Sequence, residues 1–172
     1  MDAKHSSQPT DGHPSAQVTL PSDREILIIR TFDAPRDVVF EAWTKPEHLA
    51  HWWDPSRERL ASCDIDLRPN GTFRFIPRGA KPPFIGTYRE IVAPERLVFS
   101  TVVAPSGAES IGTLLFEERD GGTILRLTIA CASQADRDAL LEMRIDAGTL
   151  QTLENLNEYV ARLSADVAAP PR

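Results

Sequence analysis

Leu150-Gln151-Thr152-Leu153-Glu154-Asn155-Leu156-Asn157-Glu158-Tyr159-Val160-Ala161-Arg162-Leu163 is the stretch on which the fold turns. Leu150, Leu153, Leu156, Val160 and Leu163 recur at three and four residues, the spacing that puts side chains on one face of a helix. The pattern predicts one continuous helix from about Met143 to Leu163, the longest of the chain. Upstream the period is two. Cys63, Ile65 and Leu67 alternate with Asp64 and Asp66, and Phe73 and Phe75 alternate with Thr72 and Arg74. Pro69-Asn70-Gly71 between them reads as a hairpin turn of type I′. Further strands are expected at Phe84 to Val92, Arg96 to Val103, Ile111 to Glu118 and Thr123 to Cys131. Ala93-Pro94-Glu95, Pro105-Ser106-Gly107 and Asp120-Gly121-Gly122 separate them. Connections this short favour antiparallel neighbours.

Ahead of these strands, Glu25 to Asp33 is rich in β-branched residues and reads as a first strand that stops at Ala34-Pro35. A short helix from about Arg36 to Trp43 follows, then a second from Pro46 to about Ala50 with Thr44 placed as its cap. Ser133, three residues before Asp136, is a helix start. The order is strand, two short helices, a run of strands and one long terminal helix. That is an α+β chain whose curved antiparallel sheet wraps the C-terminal helix. Residues 1–23 are read as a disordered tail, 24–165 as a single domain and 166–172 as a frayed end.

With 172 residues, 41% hydrophobic and 26% charged, the chain has the composition of a soluble globular protein. A net charge of -6 removes the attraction on which non-specific nucleic-acid binding rests, so no nucleic acid is expected as a partner. No apolar run approaches the ~20 residues of a membrane span. Two cysteines are too few for a disulfide framework, and no secretory leader is visible, so a cytoplasmic location is expected.

Arg30-Thr31-Phe32-Asp33-Ala34-Pro35, Ala42-Trp43-Thr44-Lys45-Pro46-Glu47-His48-Leu49 and Trp52-Trp53 form one group of words in this sequence. Asp66-Leu67-Arg68-Pro69-Asn70-Gly71, Gly86-Thr87-Tyr88-Arg89-Glu90-Ile91 and Pro94-Glu95-Arg96-Leu97 form another. In this order they resemble the bacterial relatives of the C-terminal domain of the heat shock protein 90 ATPase activator, within the START-like (SRPBCC) superfamily. The resemblance spans nearly all of residues 25–163. It departs at the hairpin turn, where Asn70-Gly71 stands in place of the more usual Gly-Gly. The implied fold is the helix-grip, with a deep cavity between sheet and C-terminal helix that commonly holds a lipid, polyketide or flavonoid-like molecule. A minority of the superfamily are cyclases or other enzymes, and the family name implies a chaperone as partner in stress response.

The expected function is non-enzymatic binding of a small hydrophobic ligand. A chaperone-interaction module and a polyketide cyclase or hydrolase are the alternatives. Trp52 and Trp53 are expected near the cavity mouth, and Phe73, Phe75, Phe84, Tyr88, Phe99 and Phe116 on its strand wall, although a close-packed core carries the same aromatics. On the long helix, Met143, Ala147, Leu150 and Gln151 are expected to face the cavity. Gly148 beside them suggests close approach of another segment or a kink. Arg30 shares strand parity with Ile26, Ile28 and Phe32, and is either the polar anchor of a ligand or one half of an ion pair with an acid such as Glu41. His48, His51 and Asp54 lie close in sequence but read more readily as surface groups than as a metal site. Cys63 and Cys131 fall at apolar strand positions as small hydrophobes. Asp64 and Asp66 read as a solvated face paired with Arg74. No nucleophile elbow, phosphate loop or dinucleotide fingerprint is present, so no catalytic residue, metal or cofactor is assigned. The expected state is monomer or homodimer.

Overall fold

The computed structural model describes residues 16–169. Eight strands form one antiparallel sheet in the order β1-β2-β8-β7-β6-β5-β4-β3. They are β1 (Ala16–Thr19), β2 (Glu25–Phe32), β3 (Ser62–Ile65), β4 (Thr72–Ile76), β5 (Phe84–Val92), β6 (Arg96–Val103), β7 (Ala108–Arg119) and β8 (Gly122–Ala130). The helices are α1 (Arg36–Thr44), α2 (Pro46–Trp52), α3 (Gln134–Glu142) and α4 (Ile145–Ala168). A curved antiparallel sheet with a long C-terminal helix and two short helices inserted early is the α+β helix-grip architecture.

Alternation places one face of each strand inward. On β2 these are Ile26, Ile28, Arg30 and Phe32, and on β8 Leu125 and Leu127, with Ile28 opposite Leu127 and Arg30 opposite Leu125. Leu153, Leu156 and Val160 of α4 are at most 1% exposed and complete the core with Val39, Ala42 and Leu49 of α1 and α2. The apolar stripe of the terminal helix is therefore the buried one at these positions.

Several expectations need correction. Residues 16–19 are a strand, not tail: β1 pairs with β2 from Ala16 opposite Arg30 to Thr19 opposite Leu27. At the other end α4 runs on to Ala168, past the expected fraying point. The rest of the expected tails, residues 1–15 and 170–172, lies outside the described residues. Thr44 does not cap α2. Its hydroxyl donates to the Phe40 carbonyl at 2.9 Å, and α2 begins at Pro46 without a side-chain cap. Nor is the β3–β4 connection a type I′ turn, since Asn70 has φ 65° while Gly71 is not left-handed. Gly71 is needed for space instead: a Cβ there would lie 2.1 Å from the Asp66 carbonyl oxygen. The predicted start at Ser133 does form, with its hydroxyl accepting from the Asp136 amide at 3.1 Å. The expected long helix forms without interruption and starts at Ile145, two residues late, because Met143 and Arg144 separate it from α3, Arg144 in the left-handed region at φ 58°. Close approach is not the reason for Gly148, because a Cβ at that position would meet no neighbouring segment within 4 Å.

Candidate functional site

Phe73 and Phe75 of β4, Phe84 and Tyr88 of β5, Leu97 and Phe99 of β6 and Leu114 of β7 all point to the concave side of the sheet. With Trp43 from α1 and Trp53 just after α2 they enclose a void of ≈ 20 Å³. The rings are in mutual contact. Phe73 stands perpendicular to Phe99 at 5.6 Å between centroids, and lies 5.1 Å from both Phe75 and Tyr88. Trp53 meets Phe75 at 4.9 Å and Phe84 at 5.1 Å. These are the separations at which aromatic pairs attract beyond their area burial.

Two glycines make the floor. Phe73 is opposite Gly86, and Phe99 opposite Gly112, across their strand pairs. A Cβ on Gly86 would lie 2.2 Å from the Phe73 ring, and one on Gly112 2.3 Å from the Phe99 ring. The rings therefore lie down over bare backbone, in space that any other residue would occupy.

At the rim, Trp53 and Phe84 are only half-buried. Polar side chains of α4 hold the backbone beneath them. Thr152 Oγ1 donates to the Trp53 carbonyl at 3.2 Å, and Asn155 Nδ2 to the carbonyls of Trp52 and Asp54 at 3.3 and 2.9 Å. The Asp54 carboxylate is buried and accepts from the Ser56 amide and hydroxyl and from Lys81 Nζ at 3.0 Å. Burial pushes its acidity towards the neutral form, but the Ser56 and Lys81 hydrogen bonds outweigh it and hold the group below the usual carboxylate range. Lys81 thus ties the β4–β5 loop to the segment that carries Trp53.

Of the expected site residues, Trp53, Phe73, Phe75, Phe84, Tyr88 and Phe99 meet around this void. Trp52 does not. It is 1% exposed, and its indole donates to the Ala42 carbonyl at 3.0 Å, so it is core. Phe116 packs edge-on against Phe40 in another part of the core. The four residues expected from the long helix are not in the lining either. Met143 is 64% exposed at the α3–α4 break, Gln151 is exposed with its amide on Asn155, and Ala147 and Leu150 are half-buried. The reason is placement: α4 packs on α1, α2, α3 and β2, whereas the void lies under β4 to β7. Arg30 pairs with Glu154 of α4 at 2.6 Å and not with Glu41, which bonds Lys45 at 3.0 Å. One of its terminal nitrogens is held by Glu154 while its Nε is buried without a hydrogen-bond partner, and the side chain is not among the lining residues.

Trp43, Leu97 and Leu114 complete the lining and are absent from the expected site residues. Strand parity could have given the last two; the helical Trp43 carries no such signal.

His48 Nδ1 lies 2.8 Å from the Tyr159 hydroxyl and His51 stacks on the same ring, while Asp54 faces Lys81. Among the described residues no three His, Cys, Asp or Glu side chains form a group able to hold a metal ion. Burial, with Asp64 and Glu47 nearby, pushes the Cys63 thiol up to about 11, which makes it a poor nucleophile. Cys63 borders a larger depression of ≈ 380 Å³ with Pro46, Asp64, Ile65, Asp66, Thr72 and Arg74 along the β3 edge. That depression is open and carries the charged Asp64, Asp66 and Arg74, so its size does not make it the better site for an apolar molecule. No helix among the described residues is long and apolar enough to cross a membrane.

The solved structures include many with this fold. A Rhodobacter sphaeroides protein is 23% identical, with 86% of this chain and 99% of that one covered at a TM-score of 0.78. A Nitrosomonas europaea protein is 22% identical, with 85% and 99% covered at 0.74. CalU16 from Micromonospora echinospora is 26% identical, with 88% and 77% covered at 0.63. No curated protein matches the chain. The family model described as Activator of Hsp90 ATPase homolog 1-like protein matches residues 33–161, most of the chain, which therefore belongs to that family of the SRPBCC superfamily.

Proposed function

We propose that this protein is a non-enzymatic binder of a small, flat, hydrophobic molecule, held against the aromatic floor formed by Phe73 and Phe99. The observation that carries the reading is the box itself: nine apolar or aromatic side chains converge on one void beneath a half-exposed rim. Size sets a condition. Ligand pockets usually measure about 300–1,000 Å³, whereas ≈ 20 Å³ is room for about one water. Binding therefore requires Trp53 and Phe84 to swing out, and both are lining rings that are only partly buried. Lipid, polyketide and flavonoid-like compounds are the ligand types that the family likeness suggests. A cytoplasmic setting belongs to the same proposal.

No comparable observation favours the chaperone module or the cyclase. The lining has no carboxylate, histidine or lysine, and burial holds the Tyr88 hydroxyl firmly protonated. Native mass spectrometry of protein purified from its own host, followed by organic extraction, tests the proposal. A retained apolar compound of defined mass, lost on Phe99→Trp, supports it. Protein that is empty as isolated and takes up no polyaromatic probe refutes it.

A further inference from the structure

Three lining residues carry polar side-chain atoms, Trp43, Trp53 and Tyr88, and nothing in the lining bears a charge. Indoles donate and never accept. Trp43 is 7% exposed, and its Nε1 is wholly buried with no hydrogen-bond partner, whereas the neighbouring Trp52 indole is satisfied by the Ala42 carbonyl. Trp52 and Trp53 stand edge-to-face with the Trp43 ring at 68° and 82°, and a π face is at best a weaker acceptor than a carbonyl oxygen. A buried N–H left without an acceptor is costly, and native structures seldom leave one without cause.

We propose that the ligand of the aromatic box is a planar, uncharged molecule with a hydrogen-bond acceptor, such as a ring carbonyl, that receives the Nε1–H of Trp43. This deepens the binding reading above and rests on it. A cationic ligand fits poorly, because the lining holds no carboxylate to pair with it and an indole N–H can only donate. A carboxylate finds no cation in the lining to offset its desolvation.

9-Fluorenone and fluorene test the proposal, since they share one flat skeleton and differ by a carbonyl. Affinities are read from tryptophan fluorescence on the full chain. Fluorenone is expected to bind about tenfold more tightly than fluorene, the worth of one satisfied buried hydrogen bond. Trp43→Phe is expected to bring that ratio close to one. Should Trp43→Phe fail to fold, the wild-type indole ¹H–¹⁵N spectrum decides: the Trp43 Nε1–H resonance moves downfield with fluorenone and not with fluorene. Equal affinities for the two compounds, a preference that survives Trp43→Phe, or identical indole shifts would overturn the acceptor inference while leaving the binding reading in place. If neither compound binds, the binding reading falls and takes the inference with it.

Discussion

Substituting Gly86 by alanine probes the floor of the box directly. Two obstacles meet the new methyl: the Phe73 ring at 2.2 Å and the backbone carbonyl oxygen of Ser100 at 2.6 Å. The ring can tilt, because a small void lies above it. The carbonyl belongs to β6, held on both sides by β5 and β7, and cannot. Overpacking of this kind costs about 1–3 kcal/mol, and a rigid backbone obstacle puts Gly86→Ala at the upper end. Against it stands the ~0.4–1 kcal/mol by which alanine lowers unfolded-chain entropy, leaving a net loss of about 2 kcal/mol. Gly148→Ala is the internal control. It makes the same chemical change in the interior of α4, where no neighbouring segment lies within 4 Å. There the propensity gain of about 1 kcal/mol applies unopposed. Urea unfolding followed by far-UV circular dichroism measures both. The two variants should shift in opposite directions, about 3 kcal/mol apart by the propensity and overpacking values just used. Phe73→Leu in the Gly86→Ala background should recover only part of the loss, since the carbonyl stays where it is. A neutral or stabilising Gly86→Ala would refute the packing of these rings on bare backbone.

Three further outcomes are expected. Glu154→Gln removes the partner of an Arg30 side chain that is 9% exposed, and should cost about 1–3 kcal/mol, below the value for a fully buried pair because Glu154 itself is 43% exposed. Urea midpoints should show Arg30→Met combined with Glu154→Gln to be less damaging than Glu154→Gln alone; a strictly additive pair would contradict this. The pKa of Asp54 is held below its unfolded value, so its stabilising contribution is present above the ordinary carboxylate range and is lost as pH falls through the lowered value. Melting temperatures of Asp54→Asn and wild type should therefore differ at pH 7 and converge in strong acid. Cys63, raised from 9.0 to about 11, should react with iodoacetamide at pH 8 on the order of a hundredfold more slowly than an exposed thiol, as a two-unit rise implies. Mass-resolved alkylation at equal rates would contradict the burial of its sulfur.

Strand parity makes much of the sheet and its aromatic face legible. Phe73, Phe75, Tyr88 and Phe99 declare themselves through alternation, because a two-residue period fixes which side of a strand faces in. Periodicity says which face of a helix is buried but not what it is buried against. That is why Leu153 and Leu156 are legible as core, while the same pattern points Met143, Ala147, Leu150 and Gln151 towards a cavity that lies elsewhere. Met143 also falls at a helix break set by the left-handed Arg144, for which arginine gives no warning. β1 escapes a reading of the sequence because Ala16–Thr19 carries no strand pattern of its own and gains its strand character from pairing with the following strand at Leu27–Arg30. The partner of Arg30 is likewise a matter of tertiary placement: Glu154 lies 124 residues away. Trp43 carries the least signal of all, since only the enclosed packing of three indoles shows that its N–H is left over.

The most direct test of the account is where a flat apolar probe sits. Intermolecular nuclear Overhauser effects between fluorene and the aromatic protons of the labelled protein give that answer. Contacts are expected with the rings of Phe73, Phe99, Trp53 and Phe84, the last two displaced from their mutual packing. Contacts confined to the α4 surface around Ala147 and Leu150, or to the charged depression beside Cys63, would contradict it.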